Sequence, residues 1–410
     1  MKRWLETFVA ATGMLALISP TIARGQTPGD SFTLEQVLAT ALAENPSMVA
    51  LRLSRGIAQA NVEIAGQRPN PDFLYEGARE TPHNAFTLAL PLETGGKRQK
   101  RIDSANTAGQ TTDAEIAVAE ADLRVAARRG FFALAIAQLR STISTELLAI
   151  GERARAAAEA RVQAGDAARL ELIQAELARA RLENDLGTAI AESNTARAEL
   201  NVLMGRAADA NLDAVTSLDG QLDATVLNLL PQAAARPTAD VALLNGRLDE
   251  ARAHLALTRA LRVPDPIVQA TLTYRAPPDF TYGLRAGASV TLPLLNRNTA
   301  TVLRDVRSVE QAEANYSAGQ RTADGRVAIA RSRLRTLVEQ RQRETTTLLP
   351  RSLEVVRMAE EAYRAGQIDL TALLQVMQTG RDVRLRTLDT SLALQWALAD
   401  LERATGVVVP

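Results

Sequence analysis

From Tyr282 onward, Tyr282, Leu284, Ala286, Ala288, Val290 and Leu292 fall on one side of the chain, with Gly283, Arg285, Gly287, Ser289 and Thr291 on the other. Alternation of period two predicts a half-buried β-strand. A shorter version lies in AFTLALPLE, where Phe86, Leu88 and Leu90 alternate with Thr87 and Ala89. Each stretch is preceded by an extended segment and a turn-rich break: DFLYEGARE then TPHN, and IVQATLTYR then APPDF. The pattern predicts two β-hairpins, with strands over about 72–80 and 85–93, and over about 267–275 and 281–293.

Behind each hairpin the period becomes helical. The changes occur at PLETGGKRQ, Pro91 to Gln99, and at PLLNRN, Pro293 to Asn298. An Ala-rich run from about Lys97 to Ala164 predicts a helix on the order of 100 Å long, at ~1.5 Å per residue. Ala164-Gly165-Asp166 breaks it, and a returning helix runs from about Ala168 to Met204. The second long helix is expected from Thr299 to Ala365, breaking at Ala365-Gly366 and returning to Thr405. Along the first, a seven-residue register lines up Ile102, Gly109, Ile116, Leu123, Gly130, Ala137, Ser144 and Gly151. So narrow a seam suits close helix approach. Ahead of the first hairpin, Thr33 with Gln36 offers a capping box. Asn45-Pro46 then interrupts the helix, and a second helix is expected from Ser47 to Gly66.

Pro91 and Pro293 are 202 residues apart, Gly165 and Gly366 are 201 apart, and Gly205 and Gly406 are 201 apart. A nearly constant offset predicts an internal duplication. The expected organisation is a first repeat at 26–205 with its helical hairpin at 97–204, a linker at 206–235, and a second repeat at 236–410 with its helical hairpin at 299–405. Residues 1–25 read as a secretory signal: Lys2 and Arg3, an apolar run from Phe8 to Ile18, and small residues at Ala23 and Gly25.

Composition narrows the function. The 410 residues carry 47 basic and 47 acidic side chains, which is no footprint for nucleic acid. There is no Cys, and His83 and His254 are the only histidines. Soft and imidazole ligands are nearly absent, so no metal site and no cofactor is expected. No HExxH, phosphate-binding loop, nucleophile elbow or dinucleotide fingerprint occurs, and an enzyme is not expected. Two strands make no stable isolated sheet. Four strands of ~10 residues match tilted outer-membrane strands, yet bacterial barrels begin at ~8. Two copies would supply eight strands and three would supply twelve.

The duplicated plan, the PLETGGKR junction and the AG-containing reversals resemble the TolC family of outer-membrane efflux proteins, and the GGKR form is most similar to its heavy-metal (cobalt-zinc-cadmium) branch. The resemblance covers essentially the whole mature chain. It implies a mostly α fold with a small transmembrane β part. It also implies a homotrimer with a shared twelve-stranded barrel on a helical periplasmic tunnel, a periplasmic adaptor, an inner-membrane pump of the RND type, and a seat among outer-membrane lipids. The activity implied is a passive exit duct for heavy-metal cations. A drug or protein export channel of the same family stays open, as does a periplasmic coiled-coil adaptor or scaffold.

At the first junction, Pro91 ends the strand, Thr94 can cap, and Gly95 and Gly96 can take positive φ. Lys97 and Arg98 then fall in a first helical turn, where the dipole disfavours cations. They are expected either on phosphate headgroups, with Arg297 after Pro293 as the second-half equivalent, or simply solvated. The reversals carry Arg161, Gly165 and Asp166, and Arg364, Gly366 and Asp369. These are read as the tunnel's gate and adaptor-docking end, against ordinary turn solvation. In the family a Tyr three residues before the second-turn Gly pairs with a carboxylate six residues after the first-turn Gly. Tyr363 and Glu171 hold those positions. A family Arg is replaced by Ile368, and two acidic ring positions by Ala372 and Gln375.

Overall fold

The computed structural model describes residues 31–216, 238–276 and 280–407. The expected signal, most of the expected linker and the middle of the break APPDF lie outside the described residues. The described chain is mostly helical, with one four-stranded sheet and one two-stranded pair.

The chain enters as β1 (Ser31–Phe32), which pairs in parallel with β4 (Asp213–Ala214). Thr33 and Gln36 form a reciprocal capping box on α1 (Leu34–Glu44). The Asn45 side chain accepts from Met48 N at 3.0 Å, which starts α2 (Pro46–Arg52) with proline in the first turn. Where one helix was expected to Gly66, a break at Leu53 separates α2 from α3 (Ser54–Gly66).

The hairpin β2 (Asp72–Gly77) and β3 (Asn84–Pro91) leads into α4 (Lys97–Ala164), which reverses into α5 (Arg169–Leu203). Then come α6 (Ala239–Ala260), the hairpin β5 (Pro266–Ala276) and β6 (Phe280–Val290), and α7 (Thr299–Arg343). α8 (Leu349–Arg364) continues α7 and reverses into α9 (Leu370–Thr405). Between α7 and α8 stands one π-turn, Glu344–Leu348, where an uninterrupted helix was expected. Pro350 explains it: proline has no N–H for the carbonyl four residues back, so the preceding turn widens.

The helix α4 is the hub, packing against α3, α5, α6 and α9. One core sits near its middle, where Phe131, Phe132 and Leu134 meet Val37, Ala41, Leu200, Met204 and Leu212. A second sits towards the reversals, where Ile143, Leu147 and Ala158 meet Tyr363, Leu370, Leu373 and Met377. Within the second, α5 comes close enough that a Cβ on Gly151 would lie 2.6 Å from Leu182 Cδ1. Ion pairs join α4 to the second half of the chain. They are Arg403 with Asp122 at 2.7 Å, Arg129 with Asp400, Arg140 with Asp389, Arg384 with Glu146 at 2.5 Å, and Arg153 with Glu360 at 2.7 Å. The counterpart α7 packs chiefly against α6 and α9.

The sheet runs β2-β3-β5-β6, antiparallel throughout. In register across it lie Tyr75, Phe86, Leu272 and Leu284, with Phe73, Leu88, Ala270 and Ala286 one row away on the same face. The large side chains of these rows are exposed. The opposite face carries Thr87, Thr271 and Arg285 in one row, and Gln269 and Gly287 in another. Thr87 and Thr271 bond through their hydroxyls at 2.9 Å.

Candidate functional site

Two regions hold the residues singled out from the sequence: the helix reversals and the strand-to-helix junctions.

At the first reversal, Gly165 takes φ 81° and closes α4. Its N–H reaches Val162 O, and the next N–H, of Asp166, reaches Arg161 O at 2.9 Å. These are the bonds of a left-handed helix stop, in which glycine avoids the Cβ clash. Gly366, at φ 71°, repeats the geometry after α8, with Gln367 N donating to Ala362 O at 2.9 Å. Asp369 caps α9 by accepting from Ala372 N at 2.8 Å. Asp166 is exposed on the turn.

Tyr363 sits beneath the turns at 1% exposure. Its hydroxyl donates to Glu171 Oε1 at 3.0 Å. Arg161 forms an ion pair with the same oxygen at 3.1 Å, and its guanidinium lies 5.6 Å from the centre of the tyrosine ring. The two reversals are thus tied by a phenol, a carboxylate and a guanidinium. Burial first, and then the Glu171 acceptor, pushes the Tyr363 phenol up to about 12. One turn earlier, Glu360 accepts from Arg153 at 2.7 Å and from Arg364 at 2.8 Å. The Arg153 hydrogen bond holds the Glu360 carboxyl below its ordinary value. Ile368 packs, partly buried, against the apolar cluster here, which suits an isoleucine in place of an arginine.

At the first junction Pro91 pairs with Ile267 at the end of β3. Gly95 and Gly96 take φ 67° and 70°, and Gly96 stands at the N-cap of α4. Thr94 does not cap the helix as expected. Its N–H donates to Asp265 Oδ1 at 2.7 Å, and its hydroxyl donates to Pro264 O at 2.9 Å. Nor does Lys97 face headgroups or solvent: it is 5% exposed, and its ammonium lies 2.7 Å from Asp265 Oδ2. Burial pushes the Asp265 carboxyl up, but Lys97, the Thr94 N–H and the Thr94 hydroxyl, which also lies 3.1 Å from Asp265 Oδ1, outweigh it and hold the carboxyl low.

Arg98 Nε donates to Gly66 O at 2.6 Å, and Arg101 donates to Ala65 O and Gln67 O while pairing with Glu93. The dipole of α4 disfavours these cations, but they stand against the carbonyl end of α3, which favours them. At the second junction Pro293 and Arg297 are exposed, and Asn298 makes the left-handed entry to α7 at φ 56°.

Sequence reasoning missed Asp265, the Glu93–Arg101 pair and Glu360. The available signal for Asp265 was an acidic residue between two prolines, immediately before a strand. Among the described residues no group of three or more His, Cys, Asp or Glu side chains is placed to hold a metal ion. His254 Nδ1 lies 3.1 Å from Asp305 Oδ2, and His83 Nδ1 lies 3.3 Å from Ala78 O.

The arrangement is thus an open four-stranded sheet with one apolar face, joined to long helices whose reversals are tied by a polar cluster. No helix among the described residues is long and apolar enough to cross a membrane. Residues 37–206 match the family described as Outer membrane efflux protein. The Cobalt-zinc-cadmium resistance protein CzcC of Cupriavidus metallidurans is 25% identical over 378 residues, covering 91% of this chain and 90% of that protein. A membrane protein from Pseudomonas aeruginosa has the same fold, with a TM-score of 0.77 at 20% identity over 91% of this chain and 92% of that one. So does CusC, with a TM-score of 0.74 at 17% identity over 93% and 95%. These likenesses relate the chain to the outer membrane efflux proteins, over residues 37–206 by the family match and over most of its length by the fold.

Proposed function

We propose that three copies of the chain close one twelve-stranded barrel and form the exit duct of a tripartite efflux system whose cargo is heavy-metal cations. The sheet carries this reading. It has one apolar face, and its edges β2 and β6 have no strand partner among the described residues. Open edges and an exposed apolar face call for a partner and a lipid surface. The apolar rows would face outer-membrane lipid and the Thr and Arg rows a water-filled lumen. A periplasmic adaptor or scaffold would have no use for such a face. The cargo class rests on the similarity to a cobalt-zinc-cadmium resistance protein. The duct would supply a passage only, with ion selectivity left to an inner-membrane RND pump and its periplasmic adaptor.

The reversals form the periplasmic end in this reading. Tyr363, Glu171 and Arg161 hold the gate shut, and the exposed turn at Gly165, Asp166, Arg364, Gly366 and Asp369 is where an adaptor docks. Tyr363→Phe with Glu171→Gln raises single-channel conductance. Unchanged conductance removes them from the gate.

A tolerance panel on a deletion strain tests the cargo, with cobalt, zinc, cadmium, nickel, copper and silver set against drugs and detergents. Hypersensitivity to a subset of the metals, restored by the gene, supports the reading. Drug sensitivity with normal metal tolerance replaces it with a drug-export duct.

A further inference from the structure

The first junction is closed by the residue just ahead of the other hairpin, and among the described residues none of the same chain does this at the second. Asp265 takes the Thr94 N–H at 2.7 Å and the Lys97 ammonium at 2.7 Å. Asp72 holds the equivalent place in the first hairpin. It stands opposite Ala89 in β2 and β3. Carrying the pairing of Pro266 with Val290 one residue further puts Asp265 opposite Thr291. Ala89 and Thr291 are 202 residues apart, the same spacing as Pro91 and Pro293.

Asp265 meets a junction because β5 pairs with β3, Ile267 opposite Pro91. Asp72 lies on β2, at one open edge, and the second junction follows β6, at the other. Four strands span three gaps of ~4.8 Å, so the two edges of one chain stand ~14 Å apart. Within one chain Asp72 and the second junction do not meet. Asp72 and Arg297 are both exposed, and neither makes an ion pair among the described residues.

The second junction has the shape to receive a carboxylate. Asn298 repeats the left-handed entry of Gly96, φ 56° against 70°. Asn296 then stands where Thr94 does, and Thr299 where Lys97 does. The charge of Lys97 is not repeated at Thr299; the cation here is Arg297, two residues earlier. Leu294 is 70% exposed and Leu295 fully exposed, in the places of Leu92 and Glu93, which lie beside β5. A strand laid along this segment would cover them.

We propose that Asp72 of one chain seats in the second junction of the next, accepting the Asn296 N–H and pairing with Arg297, as Asp265 does within the chain with Thr94 and Lys97. The inference rests on the shared-barrel reading and adds its register: Pro293 stands opposite Leu74 of the partner subunit. Opposite charge on the two edges also favours head-to-tail closure.

The absence of cysteine makes the test clean. Asp72→Cys with Arg297→Cys, in the full chain in outer membranes, is oxidised and run without reductant. Most of the protein is expected to shift from monomer to covalent dimer and trimer. Asp72→Cys with Ser289→Cys, displaced by eight residues or more than ~20 Å along β6, is expected to stay monomeric. In the second arm, Asp72→Arg lowers the temperature at which the native oligomer dissociates, and Arg297→Asp in the same chain restores it. A native oligomer that shows neither cross-link nor restoration overturns the inference and leaves the duct standing. A wild-type chain that is monomeric in the outer membrane overturns both.

Discussion

At the first junction Lys97 is buried on Asp265, and Arg101 reaches Glu93 and the carbonyls that end α3; at the second, Thr299 and Leu303 stand in those places, and Leu303 is 55% exposed. The left-handed entry is shared by both. Only the side chains that close it differ. One copy of the motif is completed by residues of the same chain, and the other presents an apolar, singly charged surface. In the proposed ring this asymmetry has a use, since every second seam between hairpins would fall between chains.

The largest effect is expected at the closed junction. Asp265→Ala strands the buried Lys97 ammonium and should cost about 3 kcal/mol, read as a lower urea midpoint of the detergent-solubilised protein. Lys97→Met with Asp265→Leu should recover most of that, because an apolar pair removes the stranded charge. Arg297→Ala should shift the midpoint of the isolated chain by less than about 0.5 kcal/mol. The Asp265 carboxyl lies below 3.8 in the folded chain. Its contribution is therefore complete above that pH and is lost as pH falls below it, and Asp265→Asn should erase this acid limb.

Next in size is the packing of the hub. Gly151→Ala drives a Cβ onto Leu182 Cδ1, the free end of a half-buried side chain, and should cost up to about 1 kcal/mol. Gly187→Ala on α5, with no heavy atom within 4 Å of the new Cβ, should stabilise by up to ~1 kcal/mol through helix propensity alone. Equal effects would mean that α4 and α5 do not meet as described.

The reversal comes third. Tyr363→Phe removes one hydrogen bond and should cost about 1 kcal/mol. With the phenol raised from 10 to about 12, its contribution is full below pH 10 and is lost as pH rises through 12. Ultraviolet titration should show one of the five tyrosines ionising last, and Tyr363→Phe should remove that phase. The smallest effect sharpens the comparison of junctions. Leu295→Glu with Leu303→Arg copies Glu93 and Arg101, but as an exposed pair should change stability by only about 0.5 kcal/mol or less. The reverse change, Glu93→Leu with Arg101→Leu, should cost more, because Ala65 O and Gln67 O lose their donor.

The features legible in the sequence are local ones. Alternation marks β6, and Gly-Gly and Ala-Gly mark points where the backbone must turn left-handed; these need only neighbouring residues. Tyr363 and Glu171, 192 residues apart, were matched through family resemblance rather than periodicity. The burial of Lys97 escapes such reading because its partner Asp265 precedes the other hairpin, outside any window of helical or strand period. Pro350 was readable, and the turn before it follows from proline chemistry. The break at Leu53 had no such marker. How strands of separate chains meet has no local signature, and only the registers of the two hairpins, taken together, carry it.

The ion pairs along α4 also bear on how the chain is made. Arg140, Arg129 and Asp122 wait for partners that lie 249, 271 and 281 residues later. The hub is therefore synthesised long before the helix that covers it. Until α9 arrives, α4 carries a bare stripe of charge and alanine through most of translation. Contacts of such separation slow folding and prolong exposure to aggregation. Closure of the hub therefore waits on α9, which begins more than two hundred residues after α4 ends.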